Sequence, residues 1–249
     1  TEASSPCLFS SFWNDESALQ GYIFGTNNSG SWVNDTYKNY WANPTESVIQ
    51  VHNATYARIG LPSVAKMPNG SLLAIYTPQE ANLNREIWGR YSNNNGQTWG
   101  DDFLIRDNGA DWGCILGCIF VSGNKVFIFY DQWKNAFGNS TIWKLESTNN
   151  GQTWGNEARI DKGNHAYNLA SYNAIKMANG SLILGFSWYW GFFDPYNKFR
   201  VGTLRSNNDG VTWSEGGQVP DWANALTGLD EPAIVELPNA TIYMLIRNY

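Results

Sequence analysis

Ser206-Asn-Asn-Asp-Gly-Val-Thr-Trp213 is one of three closely related octets, and the others are Ser147-Thr-Asn-Asn-Gly-Gln-Thr-Trp154 and Ser92-Asn-Asn-Asn-Gly-Gln-Thr-Trp99. They lie 55 and 59 residues apart, and self-similarity at such a period indicates a repeat architecture. In each octet the glycine supplies the positive φ of a tight turn, the central Asn or Asp bonds nearby backbone amides, and Trp packs between strands. We therefore expect these octets, called boxes below, to stabilise the repeat and to contact no substrate.

A second pattern, offset from the boxes, consists of an apolar run, a turn and another apolar run. It covers Pro62 to Tyr76, Cys114 to Tyr130, Ala170 to Phe186 and Pro232 to Ile246. Turn chemistry predicts a β-hairpin for each. A short third strand precedes each box and a fourth follows it, so the unit is four antiparallel strands, the content of a propeller blade. The nearly continuous apolar first strand predicts an inner strand buried on both faces.

The boxes resemble the Asp-box, Ser-X-Asp-X-Gly-X-Thr-Trp, of the sialidase superfamily, and the resemblance covers residues 56–249. Asn stands at the usual aspartate position in all three copies, and Asp209 lies one place after it. The resemblance implies an all-β fold, a six-bladed propeller of four-stranded antiparallel blades, of which this chain covers about four. We expect a single domain over residues 1–249, with an N-terminal segment at 1–57 and blades over 58–249.

Residues 22–33 look like a degraded strand, box and strand that could close a ring. Two alternatives follow. Either the chain is the front two-thirds of a six-bladed propeller, incomplete at its C-terminus, whose remainder is a missing segment or a second chain, or it is a closed four-bladed ring. An open propeller edge would invite aggregation, which favours closure, whereas the family resemblance favours the first alternative.

Composition restricts the class of partner. The formal net charge is −6 without a Lys/Arg run, which argues against nucleic acid. No apolar stretch is long enough to cross a bilayer. Seven Asn-X-Ser/Thr sequons predict a secreted, N-glycosylated protein. They lie at Asn27, Asn34, Asn53, Asn69, Asn139, Asn179 and Asn239.

Three cysteines leave an odd count. Cys114 and Cys118 lie four residues apart in a predicted strand, roughly 13 Å, which is beyond disulfide reach. Either one of them pairs with Cys7, or they are buried free thiols. Only His52 and His165 could add imidazole ligands, so we expect no metal site and no cofactor.

The sialidase resemblance implies an axial pocket. Arg58-Ile-Gly-Leu-Pro62 resembles the family's first arginine element, and Glu231 with Arg247 resembles the glutamate and second arginine. Arginines would bind a substrate carboxylate, and Glu231 would polarise a tyrosine nucleophile. That tyrosine and a third arginine would lie beyond residue 249. The alternative for all three side chains is interior ion pairs near the axis, including pairs with one another.

Four further residues complete the predicted site. Glu80 stands in the loop where the family carries its acid/base catalyst, and its alternative is a solvated loop carboxylate. Asp131 and Trp133 occupy the matching end of the second blade and Trp188 that of the third, where Trp faces can stack on sugars or pack structurally.

The resemblance implies an exo-acting glycoside hydrolase that cleaves a terminal acidic sugar from glycans. One alternative is a lectin-like propeller that binds glycans without cleaving them. The other is a glycosidase or lyase on a uronic acid or arabinose polysaccharide, since a fold does not set the substrate.

Overall fold

The protein is seen in a computed structural model that describes residues 8–13, 19–26, 33–34, 58–80, 83–84, 86–109, 112–134, 140–161, 167–189, 199–220 and 228–248. These residues form eighteen β-strands and no helix, in two compact units, 1–46 and 47–249. The predicted all-β class is confirmed. In the described residues no helix is long and apolar enough to cross a membrane.

The first unit contains an antiparallel sheet of three strands. They are β1 (Leu8–Trp13), β2 (Leu19–Thr26) and β3 (Val33–Asn34), in that order across the sheet. The two strands predicted within residues 22–33 are present and pair with each other. The degraded box between them lies outside the described residues, and β1 was not predicted.

The second unit contains four blades. Blade 1 has β4 (Arg58–Lys66), β5 (Leu72–Glu80), the short β6 (Leu83–Asn84), β7 (Glu86–Ser92) and β8 (Phe103–Asp107). Blade 2 has β9 (Trp112–Ser122), β10 (Lys125–Lys134), β11 (Thr141–Ser147) and β12 (Gly155–Arg159). Blade 3 has β13 (Tyr167–Lys176), β14 (Leu182–Tyr189), β15 (Arg200–Ser206) and β16 (Ser214–Gln218). Blade 4 has β17 (Leu229–Glu236) and β18 (Ile242–Asn248).

Every predicted hairpin is present, and within each blade the strands pair antiparallel in chain order. The expectation that each first strand is buried on both faces holds for β9 and is wrong for two others. Val64 in β4 is 48% exposed and Val235 in β17 is 49% exposed. Apolar character alone cannot show burial on both faces, because a second face is buried only where another blade covers it.

Successive blades pack through one face of each second strand, which we call the forward face. Leu73, Phe127 and Ile183 are equivalent because each pairs with the residue before the box serine in the third strand of its blade. Tyr243 is equivalent to Ile183 by its pairing with the first strand. The first three side chains are at most 2% exposed, because the next blade covers them, whereas Tyr243 is 50% exposed. Leu245, two residues along the same face, is 61% exposed, so no described residue covers the forward face of blade 4.

Each box closes on itself through the same hydrogen bonds. In the first box, Asn94 Oδ1 accepts the Thr98 amide at 2.9 Å and the Ser92 hydroxyl at 2.9 Å, while Asn94 Nδ2 donates to Thr98 Oγ1 at 2.8 Å. The Gly96 amide donates to Ser92 Oγ at 2.8 Å. The other two boxes repeat these bonds. Asn therefore serves at the usual aspartate position, since its amide group can donate to the threonine hydroxyl.

The boxes also join neighbouring blades. Asn150 in the second box accepts the Asn69 amide of blade 1 at 3.1 Å. At the equivalent place in the third box, Asp209 pairs with Lys125 of blade 2 at 3.2 Å. The glycine of the third box lies so close to blade 2 that a Cβ on Gly210 would be 2.7 Å from the Phe127 ring. The expected stabilising role of the boxes thus extends across the joints between blades.

Cys114 and Cys118 are buried free thiols, so the predicted alternative of free thiols holds for this pair. Burial raises the pKa of Cys114 to about 12 and raises the pKa of Cys118 further. Cys7 lies outside the described residues.

We expect Gly210→Ala to destabilise the protein more than Gly180→Ala. Both glycines have positive φ, +84° and +87°, where alanine costs about 1–2 kcal/mol. An alanine Cβ at position 210 would lie 2.7 Å from the Phe127 ring, whereas one at position 180 would have no atom within 4 Å. Overpacking against Phe127 should add about 1–3 kcal/mol. Urea unfolding of the two variants measures the difference, and equal losses would contradict the close approach of the box to blade 2.

Candidate functional site

The blades have two distinct ends. The turn end carries the hairpin turn between the first and second strands of each blade. The rim end carries the starts of the first strands and the ends of the second strands, such as Leu229 paired with Asn248. All seven sequence-predicted site residues lie on backbone at the rim end. The structure thus places their backbones at one end of the blades, and a shared site stays a prediction.

The four second strands have equivalent first positions, which are Leu72, Val126, Leu182 and Ile242. The residue five places after each of them is polar and belongs to the forward face at the rim end. These residues are Thr77, Asp131, Ser187 and Arg247. Two of them contact the next blade directly. Asp131 accepts the Ala170 amide of β13, and the Ser187 hydroxyl donates to Asp230 of β17. The forward faces are therefore apolar along their length and polar at the rim.

Asp230, Glu231 and Arg247 form a contiguous group at the rim of blade 4, called the acid–arginine triad below. Arg247 Nη1 lies 2.7 Å from Glu231 Oε2, and Arg247 Nη2 lies 3.8 Å from Asp230 Oδ2. The Arg247 side chain is 46% exposed and the Glu231 side chain 24%, whereas that of Asp230 is 6% exposed. Glu231 and Arg247 thus form an ion pair, which is the predicted alternative to substrate binding, and their contact with a substrate stays a prediction.

Glu231 has an unusual backbone conformation. Its φ is +48°, in a stretch where the register of β17 and β18 shifts between Asp230 and Ala233. The Glu231 amide donates to Asp230 Oδ1 at 2.8 Å. A positive φ at a non-glycine residue costs about 1–3 kcal/mol and often marks a functional position. All four first strands have such a register shift, yet among the described residues only this one combines it with a positive non-glycine φ.

Asp131 is fully buried at the joint between blades 2 and 3. Its two carboxylate oxygens lie 2.9 and 3.0 Å from the Ala170 amide nitrogen. Burial, and to a lesser extent the charges of Asp161 and Asp230, raise the pKa of Asp131 well above its ordinary range, although the Ala170 hydrogen bond opposes the shift. In the structure, Asp131 therefore forms a hydrogen bond between blades 2 and 3. Its role as a sugar contact stays a prediction.

Trp133 and Trp188 are also covered. Trp133 is 6% exposed, and a Cβ on Gly113 of the neighbouring strand would lie 2.4 Å from its ring. Trp188 is 2% exposed and stacks on Phe186 with ring centroids 4.9 Å apart. Both rings therefore pack structurally, as one of the two alternatives predicted. Stacking of either ring on a sugar stays a prediction.

Arg58 and Glu80 are placed only by their backbone. Arg58 begins β4 opposite Gln79, and Glu80 ends β5. Their side chains lie outside what the structure describes.

Two other residues were missed by sequence reasoning, Ser187 and Asp230. The signal for Ser187 was its position five residues along β14, equivalent to Asp131, and the signal for Asp230 was its adjacency to Glu231.

No metal centre is formed by the described residues. Within them no group of three His, Cys, Asp or Glu side chains is arranged to hold an ion. The charged atoms of the acid–arginine triad instead contact one another.

We expect the stability of the protein to decrease as pH rises through the folded-state pKa of Asp131. The folded state binds this proton more tightly than the unfolded state, whose pKa is about 3.9, so the favourable contribution is complete below about pH 4 and is lost at higher pH. Asp131→Asn removes this titration. Urea unfolding of both proteins between pH 4 and 8 should show the wild type losing stability relative to the variant as pH rises.

Asp102→Asn provides a control of opposite sign. Burial would raise the pKa of Asp102, but hydrogen bonds from its own backbone and from Arg90 outweigh burial and lower it. Its contribution is therefore present above about pH 4 and is lost as pH falls. A pH-independent difference between the wild type and Asp131→Asn would contradict the raised pKa.

The comparisons with known proteins agree with this architecture. The family model for the BNR repeat-like domain matches residues 78–249. A sialidase of Paraclostridium sordellii is 26% identical over 226 residues, which cover 79% of this chain and 53% of that protein. The chain thus spans about half the length of this curated relative.

Two solved structures share the fold at low identity. A protein of unknown function from Dyadobacter fermentans has a TM-score of 0.69 at 16% identity, covering 81% of this chain and 65% of that one. The α-L-arabinanase of Penicillium chrysogenum, solved with arabinobiose, has a TM-score of 0.60 at 15% identity, covering 90% of this chain and 67% of that one. Because the family model covers well over half of the residues, the chain belongs to the BNR repeat-like domain family, a sialidase-like family of β-propellers.

Proposed function

We propose that the chain is a secreted, exo-acting glycoside hydrolase that removes a terminal acidic sugar from glycans at the rim of blade 4. The observation that supports this function is the ion pair of Glu231 and Arg247, 2.7 Å long and partly exposed at the rim end. A sialidase relative at 26% identity is consistent with the reaction class.

The geometry gives each side chain a role. The Arg247 guanidinium is a planar fork that can donate to a sugar carboxylate, and its half-exposed position leaves it accessible. Glu231 lies on a backbone fixed by Asp230, and Ser187 in turn bonds Asp230. A carboxylate held in this way keeps its orientation while charge develops on a reacting sugar. In the family resemblance Glu231 would polarise a tyrosine nucleophile.

Glu80 is proposed as the acid/base group. It ends the second strand of blade 1 at the rim end, the end that also carries the acid–arginine triad. A carboxyl group there could protonate a departing glycosidic oxygen.

A second candidate is hydrolysis of a neutral sugar such as arabinose. Two carboxylates, from Asp230 and Glu231, contact the one guanidinium of Arg247, so the formal charge of the triad is −1. A negative site repels a substrate carboxylate and favours the positive charge that develops on a sugar ring during cleavage. The arabinanase with the same fold makes arabinosides a reasonable neutral test substrate.

Incubation of the full chain with chromogenic sialyl, uronyl and arabinofuranosyl glycosides tests both candidates. We expect release of the aglycone from one of them, with kcat/KM reduced about 100-fold or more in Glu231→Gln and Arg247→Ala. Arg247→Lys keeps the charge but not the fork, so on an acidic sugar it should lie between the wild type and Arg247→Ala.

Arg205→Ala is the matched control, because it removes the same charge as Arg247→Ala at the other end of the blades. Arg205 bonds Asn207 and Ser181 at the turn end. Its activity should equal that of the wild type. Turnover that survives both triad substitutions would place the site elsewhere. Binding of these sugars without any turnover would support the lectin-like alternative and contradict the hydrolase.

A further inference from the structure

Three of the seven sequons have described side chains, and all three occupy the same place in the fold. Asn69, Asn179 and Asn239 lie in the hairpin turns of blades 1, 3 and 4 and are exposed. Each turn is closed by an equivalent backbone bond. The Gly70, Gly180 and Ala240 amides donate to the carbonyls of Met67, Met177 and Leu237 at 2.8, 2.8 and 2.9 Å.

The side chains of these asparagines share one conformation. Each Oδ1 accepts the backbone amide of the hydroxyl residue two places on, which is Ser71, Ser181 or Thr241, at 3.1, 3.0 and 3.1 Å. Within the described part of the chain, no hydrogen bond ties down any of the three Nδ2 groups. The nucleophilic end of each sequon therefore points away from the turn that its oxygen stabilises.

The box asparagines provide the contrast. Asn94, Asn149 and Asn208 use Oδ1 and Nδ2 together inside their boxes, with Nδ2 donating to a threonine hydroxyl at 2.8, 2.8 and 2.9 Å. None of them begins a sequon, although the boxes are rich in Asn, Ser and Thr.

The three turns lie at the turn end, away from the acid–arginine triad. Asn239 and Arg247 are separated by the length of β18, which at about 3.3 Å per residue is roughly 20 Å or more. A bulky polar group at the turns would extend into solvent and leave the rim end open.

We propose that Asn69, Asn179 and Asn239 carry N-linked glycans, which cover the turn end of the blades. In the modification, Nδ2 attacks the anomeric carbon of an oligosaccharide carried on a lipid pyrophosphate. The new C–N bond replaces the C–O bond to phosphate, the lipid pyrophosphate leaves, and Nδ2 gives up a proton. The inference rests on the secretion that is part of the proposed function, and it does not depend on the activity or on the sugar.

The test is site mapping on the full chain recovered from the medium of a eukaryotic secretory host. Enzymatic deglycosylation in ¹⁸O water converts each occupied Asn to a labelled Asp, which peptide mass spectrometry locates. We expect label at Asn69, Asn179 and Asn239. Asn124, in the turn of blade 2 but followed by Lys125 and Val126, is the internal control and should carry none.

Thr241→Ala and Asn239→Gln add a matched pair of variants. Each should lower the intact mass by one glycan, and the first does so while keeping the asparagine. Secreted wild-type protein without label at the three turn positions, whether or not other sequons are labelled, would overturn the proposal. An unchanged intact mass in both variants would overturn it for Asn239.

Discussion

The structure depends on the cover that each blade gives to the forward face of the blade before it. Leu73, Phe127 and Ile183 are almost completely buried only because a further blade packs against each of them. A four-stranded antiparallel sheet has two faces and cannot bury both alone, so repeated stacking is the source of the core. The second and third boxes make this stacking close, since Gly151 and Gly210 allow the turn backbone to approach the preceding blade without a Cβ in between.

The same constraint explains the chemistry at the rim. In blades 2 and 3 the residue at the fifth position of the forward face reaches the first strand of the next blade. There Asp131 accepts the Ala170 amide, and the Ser187 hydroxyl donates to Asp230. These polar side chains therefore bond the neighbouring blade. In blade 4, whose forward face no described residue covers, the fifth residue is Arg247, and it bonds Glu231. A position used for assembly in blades 2 and 3 thus carries a charged group in blade 4.

Sequence reasoning predicted the repeat, the hairpins and the strand order because the turn residues are local signals. It also placed Glu231 and Arg247 together, since hairpin pairing sets which residues meet. It could not predict that Asp131, Trp133 and Trp188 are covered, because their burial depends on packing between strands and blades. The register shifts in the first strands were missed for a related reason, since one or two added residues leave an apolar run looking continuous. Asp230 and Ser187 emerged only when the blades were assembled.

The central claim is that the acid–arginine triad binds sugar at the rim. Side-chain NMR of the ¹⁵N-labelled full chain tests it directly, by following the Nε–H signals of Arg247 and Arg205 during titration with sialyl, uronyl and arabinofuranosyl glycosides. The account predicts that the Arg247 signal moves in proportion to binding while that of Arg205 stays in place. Binding of the sugar with an unmoved Arg247 signal would contradict it.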